Sequence, residues 1–510
     1  MIEKKITFLN PEEFPKVPLV IEGISTRFVR ENRVIPLELK NNVLQVIMAD
    51  PSDRGVIDAL RVAVAGDVKV YTGDREVIEE HLSKFYSQEE QNINRIIEGI
   101  DEEGQERAAN GTDEEDIGHL KDLASEAPII KLVNLLITRA VESRASDIHI
   151  EPFSDEVKVR YRIDGVLSDV ESAPKRLQAA IVSRIKIMAK LNIAERRLPQ
   201  DGRIRLLVGD REIDLRVSTI PILHGESIVM RILDKESIVI DLDVLGFMPD
   251  MLSNFNRLIQ RPNGIILVTG PTGSGKTTTL YGALDKINSP DKKIITVEDP
   301  IEYQLKGVNQ IQVRPNIGLS FTNTLRHIVR QDPDVVMIGE IRDLETAEIA
   351  IQAALTGHLV FSTLHTNDAP SAITRLLDMG VEAFLLSSTV RGILAQRLVR
   401  VICAQCKAED TSSEQMQELA MLGLREDARI YRGRGCEACA YTGFRGRMGL
   451  FEFLIVDDAI RRLILKNADE GQIREAARKS GMKTLLEDGL TKIGSGSTTL
   501  GEVFRVTRED

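Results

Sequence analysis

Residues 265–280 read Ile-Ile-Leu-Val-Thr-Gly-Pro-Thr-Gly-Ser-Gly-Lys-Thr-Thr-Thr-Leu, an apolar run that breaks into a glycine-rich loop and resumes in residues suited to a helix. The pattern G-x-x-x-x-G-K-T therefore stands between the strand and the helix it requires. Gly270, Gly273 and Gly275 permit positive φ and close backbone approach, so successive N–H groups can converge on phosphate oxygens at the start of the following helix. The residues expected around a bound nucleotide are Gly270, Pro271, Thr272, Gly273, Ser274, Gly275, Lys276, Thr277 and Thr278. Lys276 is in the position that reaches the β/γ-phosphates, and Thr277 in the position that ligates Mg²⁺.

Outward from this loop, from about 241, strand and helix patterns alternate, the signature of a parallel sheet covered on both faces. Strand candidates are 264–269, 293–297, 334–338 and 359–363. Ligands of open α/β sheets bind beyond the carboxyl ends of the strands, so the polar residues there are the candidates for chemistry. After the second strand come Glu298, Asp299 and Glu302, three carboxylates in five positions. They are natural ligands for Mg²⁺, directly or through water; the plainer reading is an acidic cluster at a helix start. The third strand ends in Gly339-Glu340, where an ordinary phosphate-loop enzyme has a magnesium-binding Asp. Glu340 is then the candidate to orient or deprotonate the attacking water. The fourth strand leads to His365, which can hydrogen-bond a γ-phosphate and signal its presence to a neighbouring subunit. His358 precedes that strand, and either histidine can instead be structural.

The only cysteines are Cys403, Cys406, Cys436 and Cys439, two C-x-x-C pairs with no cysteine left over. Four thiolates in this arrangement form a tetrahedral zinc set with no open position, so the expected zinc is structural. The gap between the pairs is long enough for a helical insertion around 413–424. After Gly449 the chain reads as amphipathic helices at 459–465, 470–479 and 485–493.

Toward the amino terminus, 125–240 reads as an α+β domain with a helix from Ile129 to Val141 and alternating strands rich in arginine. Each of these strand arginines is either a solvated strand position or one of a few cations directed at bound phosphates, as arginine fingers are. Residues 87–124 are acidic and poor in apolar groups, the composition of a flexible linker, and 1–86 reads as a small α/β docking domain. The organisation expected is thus 1–86, the linker 87–124, the arginine-bearing domain 125–240, the phosphate-loop core 241–400, the tetracysteine insert 401–445 and a helical region 446–510.

At 510 residues, 42% hydrophobic and 28% charged, the composition is that of a multidomain globular chain. Neither a spanning segment nor a signal-peptide core is visible, so a cytoplasmic location is expected. A net charge of −12, 4% aromatic residues and no tryptophan weigh against a nucleic-acid partner.

The loop at Gly270–Thr277, the acidic box Glu298–Glu302, the run Arg330–Asp343 and the segment Gly357–Asp368, in that order, resemble the secretion ATPase superfamily. Arg144–His149, Pro199–Arg203 and the tetracysteine insert extend the likeness from about 120 to the end, and the ending Glu502–Glu509 and the segment His119–Leu136 resemble the type II secretion branch more than the pilus-assembly branch. The resemblance implies a RecA-like ATPase core in a homo-hexamer dependent on ATP and Mg²⁺, at the cytoplasmic face of the inner membrane. It implies that hydrolysis drives pseudopilus assembly through a polytopic membrane protein, that the N-terminal domain docks on a membrane-anchored secretion protein, and that Arg203 and Arg216 approach the nucleotide. A type IV pilus assembly motor would share every catalytic residue, and a nucleic-acid translocase is the remoter alternative.

Overall fold

The computed structural model describes residues 32–40, 43–85 except 65, 124–234 except 126, 241–410 and 429–507, with scattered positions between 8 and 29. The expected linker, except its last residue, and the expected insertion at 413–424 lie outside the described residues. The chain divides into two compact units, Met1–Ser237 with Cys403–Lys407 and Gly433–Arg445, and Ile238–Ile402 with Ala408–Arg432 and Gly446–Asp510. Each is described by itself.

The first unit begins with β1 (Val34–Lys40), β2 (Val43–Met48) and β3 (Asp67–Thr72). β1 and β2 pair antiparallel, and β2 and β3 pair parallel. A parallel pair needs a crossover, which the helix Arg54–Val64 supplies while burying Val56 and Leu60, one turn apart on one helix face. A second, antiparallel sheet follows, made of β4 (Ala145–Pro152), β5 (Glu156–Ile163), β6 (Val166–Pro174), β7 (Gln200–Val208), β8 (Arg211–Ile222) and β9 (Gly225–Asp234) in the order β6-β5-β4-β9-β8-β7. Because strand side chains alternate, Ile148, Ile150, Val157, Val159, Tyr161, Leu215 and Val217 share a core with the helices Ala127–Glu142 and Gln178–Met188. The Tyr161 hydroxyl donates to the Leu136 carbonyl at 2.6 Å.

The second unit holds β10 (Gly264–Thr269), β11 (Ile294–Glu298), β12 (Asn309–Gln312), β13 (Val335–Ile338), β14 (Leu359–Leu364) and β15 (Val390–Ile402). β16 (Lys407–Asp410) and β17 (Ile430–Gly433) form a separate two-stranded sheet, and β18 (Phe444–Ile455) returns to the large one. The large sheet has the order β12-β11-β13-β14-β10-β15-β18, with parallel pairing at every junction from β12 to β15. The four expected strands are β10, β11, β13 and β14, and the parallel-rich α/β core is as expected. β12, β15 and β18 add to it. β15 and β18 escape pattern reading because polar Gln396, Arg397 and Glu452 interrupt their apolar runs although all three are buried.

Both faces are covered, as a parallel sheet requires. Ile265 and Leu267 face one core with Ala347, Ile351, Ile373 and Ile460, whereas Ile266 and Val268 face the other with Phe255, Leu280 and Leu284. The C-terminal helices are Asp458–Leu465, Glu470–Lys479, Leu485–Gly494 and Leu500–Thr507. The third is anchored by a buried ion pair: Lys492 donates to Asp488 and, at 2.6 Å, to the Gly449 carbonyl, while Asp488 accepts from the Phe451 N–H at 2.9 Å. No helix among the described residues is long and apolar enough to cross a membrane. Lys492→Met leaves Asp488 buried without its cation, and we expect a loss of roughly 3–5 kcal/mol of stability, read as a lowered midpoint in thermal or urea unfolding of the full chain.

Candidate active site

β10 stops at Thr269, and the backbone turns through Gly270 at φ 149°, Gly273 at 80° and Gly275 at 87° before the helix Lys276–Ile287 begins. Only glycine fits the first of these. A Cβ on Gly270 would lie 2.5 Å from the Gln396 carbonyl oxygen and 2.6 Å from Ser274 Oγ, and its φ disfavours any side chain. The loop thus delivers its N–H groups to a helix N-terminus, where anions are stabilised. Lys276, 9% exposed, donates through Nζ to the Gly270 carbonyl at 2.6 Å and the Pro271 carbonyl at 3.0 Å. Burial pushes its ammonium down to about 8; Glu340 opposes that shift and the Arg397 guanidinium adds to it.

β13 and β14 bring the next groups to the same edge. Glu340 follows β13, and Gly339 is fixed by its N–H to the Val297 carbonyl at 2.8 Å and by Thr363 Oγ1 donating to its own carbonyl at 2.6 Å. Glu340 pairs with Arg342 and lies 3.4 Å from His365 Nε2. The carboxylate raises the proton affinity of the Arg342 guanidinium. The His365 segment is tied to β10 by the Thr366 N–H donating to Thr269 Oγ1 at 2.8 Å. Its far end, Asp368, caps the helix Ala369–Asp378 and binds Arg474 at 2.7 Å. Behind that cap Glu452 accepts from the Ala369 N–H at 2.8 Å, and burial pushes its carboxyl up to about 7.

The acidic box divides. Asp299 and Glu302 are exposed. Glu298 is buried, with Tyr281 donating to Oε2 and both Thr296 and Gln310 to Oε1, the latter at 3.0 Å. The partnership with Glu298, after burial, raises the Tyr281 phenol. His358 stands before β14, at the edge opposite the loop, where its Nδ1 meets the Ala353 carbonyl at 2.8 Å. It closes the end of the helix Leu344–Leu355 and is no part of this site.

In the first unit, cross-strand register aligns Arg162, Asp147, Arg231, Arg216 and Arg203 in one row on one face. Arg203 pairs with Asp214 at 3.0 Å and Arg231 with Asp147 at 3.0 Å. Arg231 joins the two arginines singled out by sequence, and only pairing register could find it. The four cysteines gather with all Sγ atoms within 4.8 Å of one another, and none is in a disulfide. Such a group could hold a metal ion. Arg342, Gln396 and Arg397 were not singled out either; the signal for the last two was a polar pair inside the apolar run 393–402.

A glycine loop at the carboxyl edge of a parallel sheet, with a lysine, a glutamate and a histidine converging on it, defines the phosphate-loop ATPase class. A family model described as "Type II/IV secretion system protein" matches residues 122–505, and one described as "MshEN domain" matches 5–92. The chain is 54% identical over 98% of its length, and 86% of the relative's, to type II secretion system protein E of Xanthomonas campestris pv. campestris. It is 48% identical to type II secretion system ATPase E of Vibrio cholerae over 84% of this chain and 86% of that one. A crystal structure of the Legionella pneumophila ATPase DotB, 21% identical, superposes with a TM-score of 0.55 over 73% of this chain and 94% of that chain, a likeness of fold. The chain belongs to the type II/IV secretion system protein family, as a homologue of type II secretion ATPase E with an MshEN domain at its N-terminus.

The lowered proton affinity of Lys276 gives a pH dependence with a definite sign. Phosphate binding needs the ammonium, which the free protein begins to lose as pH rises through about 8. Nucleotide affinity should hold below pH 7.5 and weaken by up to tenfold per pH unit above 8, as read by titration with a fluorescent ATP analogue between pH 6.5 and 9.5.

Proposed function

We propose that this ATPase is a homo-hexameric motor that couples ATP hydrolysis to pseudopilus assembly for type II secretion. The observation that carries the hydrolytic reading is the meeting of Glu340 and His365 at 3.4 Å beside the loop lysine. Gly270, Pro271, Thr272, Gly273, Ser274, Gly275 and Thr278 wrap the phosphates, and Lys276 neutralises charge that develops on them. Thr277 would ligate Mg²⁺, and Asp299 and Glu302, both exposed, would act on that ion through water. Glu298 supports them from below, its oxygens already taken by Tyr281, Thr296 and Gln310. Glu340 accepts a proton from, or orients, the attacking water. His365 donates to the γ-phosphate, and that contact reports occupancy to the adjacent subunit.

The arginine row supports a role at phosphate for Arg203 and Arg216, with Arg231 between Asp147 and Arg216 in the same row. Arg203 and Arg231 are paired with Asp214 and Asp147, so Arg216, directly opposite both arginines, is the position where a bound anion would relieve like-charge repulsion. The N-terminal domain docks on a membrane-anchored secretion protein and the motor engages a polytopic inner-membrane platform, which holds it at the cytoplasmic side of the membrane.

For the cysteine cluster we infer zinc. Four sulfurs about 2.3 Å from a central zinc stand about 3.8 Å apart along the edges of a tetrahedron. Three of the separations agree: Cys403–Cys436 at 3.8 Å, Cys406–Cys439 at 3.9 Å and Cys436–Cys439 at 3.7 Å. With four protein ligands the ion is structural.

Glu340→Gln should lower the steady-state ATPase rate by roughly 10²-fold or more while ATP binding persists, and size-exclusion mass measurement of that variant with ATP and Mg²⁺ should show a six-chain species. A rate equal to wild type would remove Glu340 from the mechanism, and a purely monomeric elution would count against the ring. Metal analysis of freshly purified protein should find about one zinc per chain, with a lower unfolding temperature after a strong chelator. Substoichiometric zinc with unchanged melting would overturn that assignment.

A further inference from the structure

Arg397 is one of the few charged side chains buried in the second unit, 9% exposed, and neither the loop motif nor the acidic box accounts for it. Its place follows from register. Thr269 pairs with Ala395, so Gln396 and Arg397 continue β15 at the level where the loop begins. Gln396 braces both ends of that loop. Its carbonyl oxygen closes the space beside Gly270, its Nε2 lies 2.8 Å from where a Cβ of Gly275 would be, and its Oε1 accepts from Thr279 at 2.8 Å.

The guanidinium spans from this brace to the histidine segment. Nη1 donates to the Gln396 carbonyl at 3.1 Å, the same oxygen that abuts Gly270. Nη2 donates to the Asn367 carbonyl at 2.8 Å and approaches its Oδ1 at 3.3 Å. One rigid, planar group therefore fixes the backbone against the loop's first glycine and the backbone two residues beyond His365. A lysine, as a single point donor on a flexible stem, cannot hold both.

We propose that Arg397 is a positioning residue for hydrolysis, coupling the phosphate loop to the segment that carries His365 so that His365 and Glu340 keep their mutual geometry when the loop holds phosphate. Resting on the hydrolytic reading given above, the proposal assigns Arg397 no contact with substrate. Its action is through Asn367 on the placement of His365, and a displacement of the order of 1 Å in such a group is enough to slow chemistry by up to about 10²-fold.

The test is a double-mutant cycle in the full-length protein: wild type, Arg397→Lys, His365→Ala and the double variant. Each is measured for kcat and KM with ATP, for affinity toward a fluorescent ADP and for thermal midpoint. Arg397→Lys should lower kcat by about 10- to 100-fold while ADP affinity stays within about twofold of wild type. In the His365→Ala background the same substitution should change kcat by less than about twofold, because the group it positions is gone. Equal losses in the two backgrounds would overturn the proposal, as would ADP affinity falling in step with kcat, which would mark a loop prop or a direct phosphate ligand. An Arg397→Lys protein as fast as wild type would also overturn it. If Arg397→Lys does not fold by circular dichroism, Asn367→Ala takes its place in the cycle; it trims one exposed acceptor, and the coupling to His365 should persist at smaller size. Should His365→Ala hydrolyse ATP at the wild-type rate, the role given to His365 fails first, and the route assigned to Arg397 fails with it.

Discussion

The register of β10 between β14 and β15 is the constraint on which the site depends. Thr269 lies opposite Leu364 on one side and Ala395 on the other, so three segments meet at one level: the loop at Gly270 and the segment at His365, which leave the sheet there, and the pair Gln396-Arg397, which continues β15 past it. A shift of one residue in either pairing would turn every side chain to the other face, exchanging the sets that Ile265 and Ile266 join. Burial on both faces therefore fixes register, and register fixes the chemistry. Gly270 is the point of least tolerance, because the carbonyl of Gln396 occupies the space a side chain would need.

How much of this could be read in advance follows from which signals are local. The phosphate loop, the strands ending at Thr269, Glu298, Ile338 and Leu364, and the helix after Lys276 are written in runs of a few residues, and each formed as the pattern implied. The cysteine pairs were legible too, since C-x-x-C spacing brings two thiols together within each pair and marks the two pairs as partners, which the fold then gathers. Illegible were the features that depend on distant pairing. Gln396 and Arg397 look like an interruption of an apolar strand until β10 is set beside them. Arg231 is an unremarked arginine until β9 pairs with β8 and aligns it with Arg216. Glu298, Asp299 and Glu302 look equivalent in sequence, yet the first is the last residue of a buried strand and the others stand outside it.

That division of the acidic box has an energetic reason. A carboxylate in a dry interior is costly unless its lone pairs are satisfied, and Glu298 is 3% exposed. Tyr281, Thr296 and Gln310 supply the donors, and two of them come from elements that frame the edge: Tyr281 from the helix that starts at the loop and Gln310 from β12. Glu298 thus joins the loop helix to the edge strand and sets where Asp299 emerges.

The cations divide in a corresponding way. Lys276 and Arg397 are buried inside the second unit and tied to backbone carbonyls, so both keep their places beside the loop in every conformation that keeps this fold. The side chains of Arg203 and Arg231 are 51% and 63% exposed, and both belong to the other unit. The buried pair is thus set by the fold of the phosphate-loop unit itself, whereas the exposed row is set by strand register in a different sheet.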